Sequence, residues 1–229
     1  IKEKRLNKYL IDQIIKYSSK IIVSNASQKE FLLSKVDKNI EIIPDYSYEY
    51  KKSKNTRNFA NHRLRIGWEG MGLNSGALNQ IEKFGIDKEH DLILITDLAG
   101  KSNLSKQISI HQFFNWEEKK HIKQINEVDI MLLPSLNKSW IHLSKPATRI
   151  RHYFNMGKPV IAFPNCSNFN EMSKANLAEF CAPIYLWSNL INSLRDRMIR
   201  KEYLKRIDIY KKKYLNEDLI DISWKNIVN

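Results

Sequence analysis

The stretch Ser144-Lys145-Pro146-Ala147-Thr148-Arg149-Ile150-Arg151-His152-Tyr153-Phe154-Asn155-Met156-Gly157-Lys158-Pro159 holds the densest set of chemically useful side chains in the sequence. A proline near a first helical turn and a glycine as a stop predict a helix over 146–156. Lys145 then precedes the helix, Thr148 and Arg149 lie in its first turn, and His152 follows about one turn later. A cation at a helix N-terminus opposes the macrodipole and gains nothing from it. Two cations at one such terminus make sense if an anion sits between them, and a diphosphate would satisfy both side chains and the free amides. The same residues also suit a solvated basic helix start, with Ile150, Tyr153 and Phe154 burying the other face.

A second candidate is the glycine loop Gly67-Trp68-Glu69-Gly70-Met71-Gly72. It would let backbone approach a ligand, and the helix expected after it would offer amides to an anion. A plain strand-to-helix turn uses glycine as well. The loop lacks the G-x-G-x-x-G spacing of a dinucleotide site and the Gly-Lys-Ser/Thr of a Walker loop. Of the aromatic residues, Trp116 after the Phe113-Phe114 pair suits either a base-stacking face or a core staple. Trp140, in a polar loop, suits a sugar or acceptor contact or packing against a further domain. The six histidines show no H-E-x-x-H spacing, no D-x-D pair is present, and no catalytic metal is expected. No Gly-x-Ser-x-Gly elbow points to a serine hydrolase. The acidic cluster from Asp87 to Asp91 reads as a solvated loop.

These residues need elements to hold them. Apolar runs predict strands at 64–68, 91–96, 107–111, 128–134 and 159–163. Helical spacing fills the gaps: from the glycine turn to about residue 84, over 116–126, and over 146–156. Alternating buried strands and helices imply one parallel sheet with helices on both faces. Ligands of such sheets bind at the carboxyl ends of the strands, here 68–74, 96–101, 111–116, 134–145 and 164–170. Upstream, the pattern gives a helix at 2–19, a short strand at 20–24, a capping box from Ser27 to Glu30 opening a helix through residue 36, and a strand at 41–44. The polar segment 46–62 reads as a linker, dividing a unit at 1–45 from one at 63–188, with mostly helical residues at 189–229.

At 229 residues, 42% hydrophobic and 28% charged, the chain is long enough and apolar enough to bury a core, which excludes general disorder. Its apolar runs are far short of the roughly 20 residues a membrane span needs. Cys166 and Cys181 read as reduced thiols in a cytoplasmic protein. The chain begins at Ile1 with no signal peptide, and a piece of something longer is expected. A net charge of +13 favours anionic partners: nucleic acid, acidic lipid or phosphorylated small molecules. No zinc finger or aromatic RNP pattern supports nucleic acid. Residues 195–213 carry nine basic and three acidic side chains beside an apolar stripe. That suits an ordinary solvated helix face or an anionic membrane surface.

Taken in order, the pattern resembles the donor-binding half of a GT-B glycosyltransferase of the family 1/family 4-like kind. The strand ending at Pro134, Lys145-x-x-x-Arg149, and Tyr153 through Ala162 carry the resemblance. Ile21 to Asn25, Glu41 to Asp45 and Leu64 to Trp68 agree with it upstream, so it covers roughly 20–188. It implies a Rossmann-like parallel sheet with a remnant of the N-terminal domain before it. The implied activity is metal-independent transfer of a hexosyl group from a nucleoside-diphosphate sugar to a glycan or lipid-linked acceptor. No separate cofactor is implied. The setting would be polysaccharide biosynthesis in the cytoplasm, peripheral to the inner membrane face, with this chain an incomplete enzyme. By position, Gly70 and Gly72 match the loop facing the donor diphosphate, and Arg149, with Lys145 and Thr148, matches the cationic site for it. Gln112, Phe113, Phe114 and Trp116 match the cradle for the base. His152 falls where many members hold the ribose with glutamate, a departure, and Ser144 stands near the other glutamate position. A sugar-nucleotide epimerase or phosphorylase on the same fold, and a non-catalytic basic module, are the competing readings.

Overall fold

The computed structural model describes residues 12–43, 63–135, 145–215 and 221–225. Seven strands lie among them: β1 (Lys20–Val23), β2 (Asn39–Ile42), β3 (Arg65–Glu69), β4 (Asp91–Thr96), β5 (Gln112–Asn115), β6 (Ile130–Leu133) and β7 (Val160–Ala162). The helices used below are α1 (Ala26–Leu33), α2 (Asn79–Glu82), α3 (Ile86–Glu89), α4 (Leu98–Ser102), α5 (His121–Asn126), α6 (Thr148–Asn155), α7 (Cys166–Lys174), α8 (Trp187–Ser193) and α9 (Arg197–Tyr214).

Strand burial is continuous, not alternating. Leu92, Ile93, Leu94 and Ile95 of β4 are all fully buried, as only a sheet covered on both faces allows. Five strands form that sheet in the order β5-β4-β3-β6-β7, every pair parallel. The chain runs outward from β3 to β5 and then returns to the other side of β3 for β6 and β7. The switch point of the topology therefore lies between β3 and β6, where a parallel sheet opens a crevice at its carboxyl ends. A separate parallel pair, β1 with β2, stands upstream, and α1 beside it touches α7.

Several expectations are corrected. The third strand of the sheet lies at Gln112–Asn115, beyond the expected 107–111. Its register against β4, Ile93 to Gln112 through Thr96 to Asn115, makes Gln112, Phe113 and Phe114 strand residues and not a loop. Ile108 and Ile110 still pack on the core as the lead-in, which is why the earlier stretch reads as a strand. The expected helix after the glycine turn is a 3-10 stretch, Gly72–Leu78, followed only by the single turn of α2. Gly72, Ser75 and Gly76 are poor helix formers. The helix at 116–126 begins only at His121. Asn25, not Ser27, caps α1: its side chain accepts from the Gln28 amide while Gln28 reaches back to Ser24. Asp87 and His90, expected in a solvated loop, are each 1% exposed.

Gly157 ends α6 at φ +66°, a left-handed conformation that a glycine adopts at little cost. The outer edge of β7 is closed by a side chain: Tyr203 of α9 donates to the Val160 carbonyl at 2.8 Å and accepts from its amide at 3.0 Å. The expected linker 46–62, Trp140 and Ser144 lie outside the described residues. No helix of the described residues is long and apolar enough to cross a membrane.

Candidate functional site

Glu69, the last residue of β3, gathers the carboxyl-end crevice around itself. Its backbone carbonyl accepts from Arg149 Nη1 at 2.9 Å, its Oε2 from the Tyr153 hydroxyl at 3.1 Å, and its Oε1 from Trp116 Nε1 at 3.2 Å. The first turn of α6 and the residue after β5 are thus tied to the end of the central strand. Arg149 is exposed, as is Lys145, and Thr148 is half-buried beside them. The amphipathic spacing of α6 explains the split: Ile150, Tyr153 and Phe154 are buried, leaving Arg149 on the crevice side.

The glycines act by absence of a side chain. A Cβ on Gly70 would lie 3.4 Å from Arg149 Nη1 and 2.8 Å from the buried Trp68 ring. Its amide is bonded to the Ile95 carbonyl at 3.2 Å and its carbonyl to Thr96 Oγ1 at 2.7 Å. Gly72 is buried, and its amide donates to Asp97 Oδ2 at 3.2 Å. Neither amide is therefore presented to a diphosphate as expected. What excludes a side chain at Gly70 is the Trp68 ring beneath the strand end.

Four rings run along the crevice wall. Trp116 and His121 are 5.9 Å apart, His121 and His152 stack at 5.9 Å, and His152 meets Tyr153 edge-on at 5.6 Å. Burial, with the nearby His121 ring, lowers His152 to about 4, so it is neutral at neutral pH. Burial and the neighbouring Glu69 charge hold the Tyr153 phenol well above its ordinary value, so it remains a hydrogen-bond donor. Gln112, Phe113 and Phe114 are not brought to this cluster. They line a cleft of about 470 Å³ along the β5 edge with Lys120, Lys123 and Gln124. Among the described residues no group of three or more His, Cys, Asp or Glu side chains is placed to hold a metal ion. Glu69 and His121 were missed by sequence reasoning. An acid at the carboxyl end of a buried strand was a usable signal for Glu69, whereas nothing local marks His121.

No known protein-family model and no curated protein matches the sequence. Solved structures do match. The crystal structure of TarM superposes with a TM-score of 0.69 at 15% identity, over 97% of this chain and 46% of that one. The GtfA/B complex gives 0.59 at 11% identity, over 94% and 46%. An alpha,alpha-trehalose-phosphate synthase (UDP-forming) from Burkholderia vietnamiensis gives 0.55 at 8% identity, over 95% and 64%. These neighbours are GT-B glycosyltransferases.

The chain has the GT-B fold.

It spans 46% of the length of the first two of these chains and 64% of the third. The five-stranded parallel sheet flanked by helices is the GT-B sheet expected from the sequence, with its third strand moved.

Proposed function

We propose that this chain is the donor-binding part of a glycosyltransferase that takes a hexosyl group from a nucleoside-diphosphate sugar. The observation that carries the reading is Arg149. Its exposed guanidinium is anchored at the switch-point crevice, in the first turn of α6, with exposed Lys145 at the same helix start. As the glycosidic bond to the diphosphate breaks, negative charge grows on the leaving oxygens. Arg149, Lys145 and the α6 amides would stabilise that charge without reorganising. The acceptor, a glycan or lipid-linked sugar, would meet the donor from a facing part of the protein beyond these residues, and no base is assigned here. The reaction is read as metal-independent and free of a separate cofactor. An epimerase on the same fold is less well supported, because the crevice carboxylate of Glu69 is held by two neutral donors, which suits a fixed acceptor better than an acid or base that exchanges a proton.

The test is calorimetric titration of UDP, GDP and ADP and their sugars, UDP first, since one neighbour is described as UDP-forming. Arg149→Ala should weaken diphosphate binding by about 1.5–3 kcal/mol, the scale of a charge-assisted hydrogen bond, and weaken the monophosphate less. Arg149→Lys should recover only part, because the forked geometry is lost. Equal losses for both ligands would make Arg149 a surface charge and sink the placement.

A membrane-facing role is favoured by α9, whose Met198 and Ile209 are 71% and 57% exposed on one side, among Lys201, Lys205 and Lys212. Such a surface would bring the enzyme to a lipid-linked acceptor at the cytoplasmic face. Cosedimentation with vesicles containing anionic lipid, but not with neutral vesicles, is the expected result. Equal behaviour with both would remove this part of the reading.

A further inference from the structure

Glu69 places a carboxylate in a crevice whose other polar groups suit an anion. Its side chain makes no ion pair among the described residues, because Arg149 bonds its backbone carbonyl and not the carboxylate. Its two hydrogen-bond donors, the Trp116 indole and the Tyr153 phenol, are neutral groups. They do orient it, since each oxygen accepts from a different ring, one buried (Tyr153) and one 46% exposed (Trp116). Tyr153 is fully buried, and Trp116 rests against His121. A carboxylate offers about four lone-pair positions, of which two are taken here. Glu69 is half-buried, and no hydrogen bond among the described residues takes the other two. A phosphate would be repelled by it. Hydroxyl groups would not, and two adjacent hydroxyls present their protons at a spacing that matches the two oxygens of one carboxylate.

We propose that Glu69 binds a vicinal diol of the donor, with Trp116 and Tyr153 as the positioning residues that aim its carboxylate. The proposal rests on the nucleotide-sugar reading above and adds the residue that recognises the neutral part of the ligand. His152, which the resemblance puts at the ribose, has its ring between His121 and Tyr153. The carboxylate that such hydroxyls would choose comes instead from the end of β3. The diol has two possible sources in one donor, the ribose and the transferred sugar.

The experiment crosses a side-chain change with a ligand change. Wild type, Glu69→Gln and Trp116→Phe are titrated with UDP, GDP and ADP, with the 2′,3′-dideoxy form of whichever binds, and with its sugar conjugate. Glu69→Gln should lower affinity for the ribonucleoside diphosphate roughly tenfold or more and leave the dideoxy form unaffected, if the ribose is the diol. If the sugar is the diol, the loss appears only for the sugar conjugate. Trp116→Phe keeps the ring but removes the donor to the carboxylate, and should show the same ligand selectivity with a smaller loss. It also carries the comparison if Glu69→Gln does not fold. Equal losses for ribo, dideoxy and sugar ligands, or no loss, would overturn the proposal while leaving the nucleotide-sugar reading standing. Failure of wild type to bind any of the diphosphates would overturn both.

Discussion

At the scale of single residues, Gly70 matters for what it lacks. An added methyl would press to 2.8 Å on the Trp68 ring, and Trp68 is 1% exposed with nowhere to move. On its other side the methyl would come to 3.4 Å from Arg149 Nη1, an ordinary contact. Gly70→Ala should therefore cost about 1–3 kcal/mol of stability, the usual range for overpacking. It should also lower diphosphate affinity, because displacing Trp68 disturbs the β3 end to which Arg149 is bonded. Urea unfolding and calorimetry on the same sample check this, and an unchanged midpoint with unchanged affinity would contradict it. Gly72 is different in kind. A methyl there would run into the Asp97 carboxylate and the Gly100 backbone, so a glycine is required where the 3-10 stretch packs on α4.

At the scale of elements, the position of α6 depends on a buried network behind it. Arg151 of α6 pairs with Glu171 of α7 at 2.8 Å, with side chains 6% and 5% exposed, and Tyr210 of α9 donates to the same carboxylate. Burial alone would push the Glu171 carboxyl up. The Arg151 hydrogen bond and charge, helped by Tyr210 and Lys174, hold it below its ordinary value instead. A carboxyl lowered in the folded state adds stability that is present above its unfolded pKa and lost as pH falls through the folded one. Removing one partner leaves a buried charge uncompensated. Glu171→Gln should thus cost about 3–5 kcal/mol near neutral pH. The loss should shrink in acid, where the wild-type carboxylate is itself protonated. Denaturant midpoints for both proteins from pH 3 to 7 test this, and a pH-independent gap would refute the assignment. Because α6 carries Arg149 on its opposite face, the variant should bind diphosphate less well once it loosens.

At the scale of the whole molecule, two histidines make the fold sensitive to mild acid. His90 is 1% exposed, neither ring nitrogen has a hydrogen-bond partner, and its pKa is lowered to about 4, first by burial and then by Arg195, against the raising effect of Glu89 3.8 Å away. His152 is lowered to about 4 as well. An unfolded histidine titrates near 6.5, so between about 6.5 and 4 the unfolded chain binds more protons than the folded one. Stability should therefore be full above pH 6.5 and fall as pH drops toward 4, by up to roughly 2–3 kcal/mol for each group. Urea midpoints measured across that window should decline. Replacing His90 with leucine should flatten part of the slope, and a decline of undiminished steepness would show that His90 is not its source.

Much of the architecture was legible because buried parallel strands write themselves as unbroken apolar runs. Asp91–Thr96 was read to the residue, and the stop at Gly157 followed from its chemistry. The third strand was misplaced because Ile108 and Ile110 are as apolar as Phe113 and Phe114. Only pairing with β4 decides which stretch enters the sheet. The cationic start of α6 was equally legible, since proline, glycine and spacing fix a helix locally. What the sequence by itself determined was the class of fold, the order of its elements and the placing of two exposed cations at one helix terminus. Tertiary structure alone decided that Gln112, Phe113 and Phe114 belong to an edge strand. It also decided that the Gly70 and Gly72 amides are bonded within the protein, and that Glu69 joins Arg149, Tyr153 and Trp116. These residues lie up to 84 positions apart along the chain. Hydrogen bonds across such separations follow from how the strands close beside one another, and no local pattern of residue types encodes that.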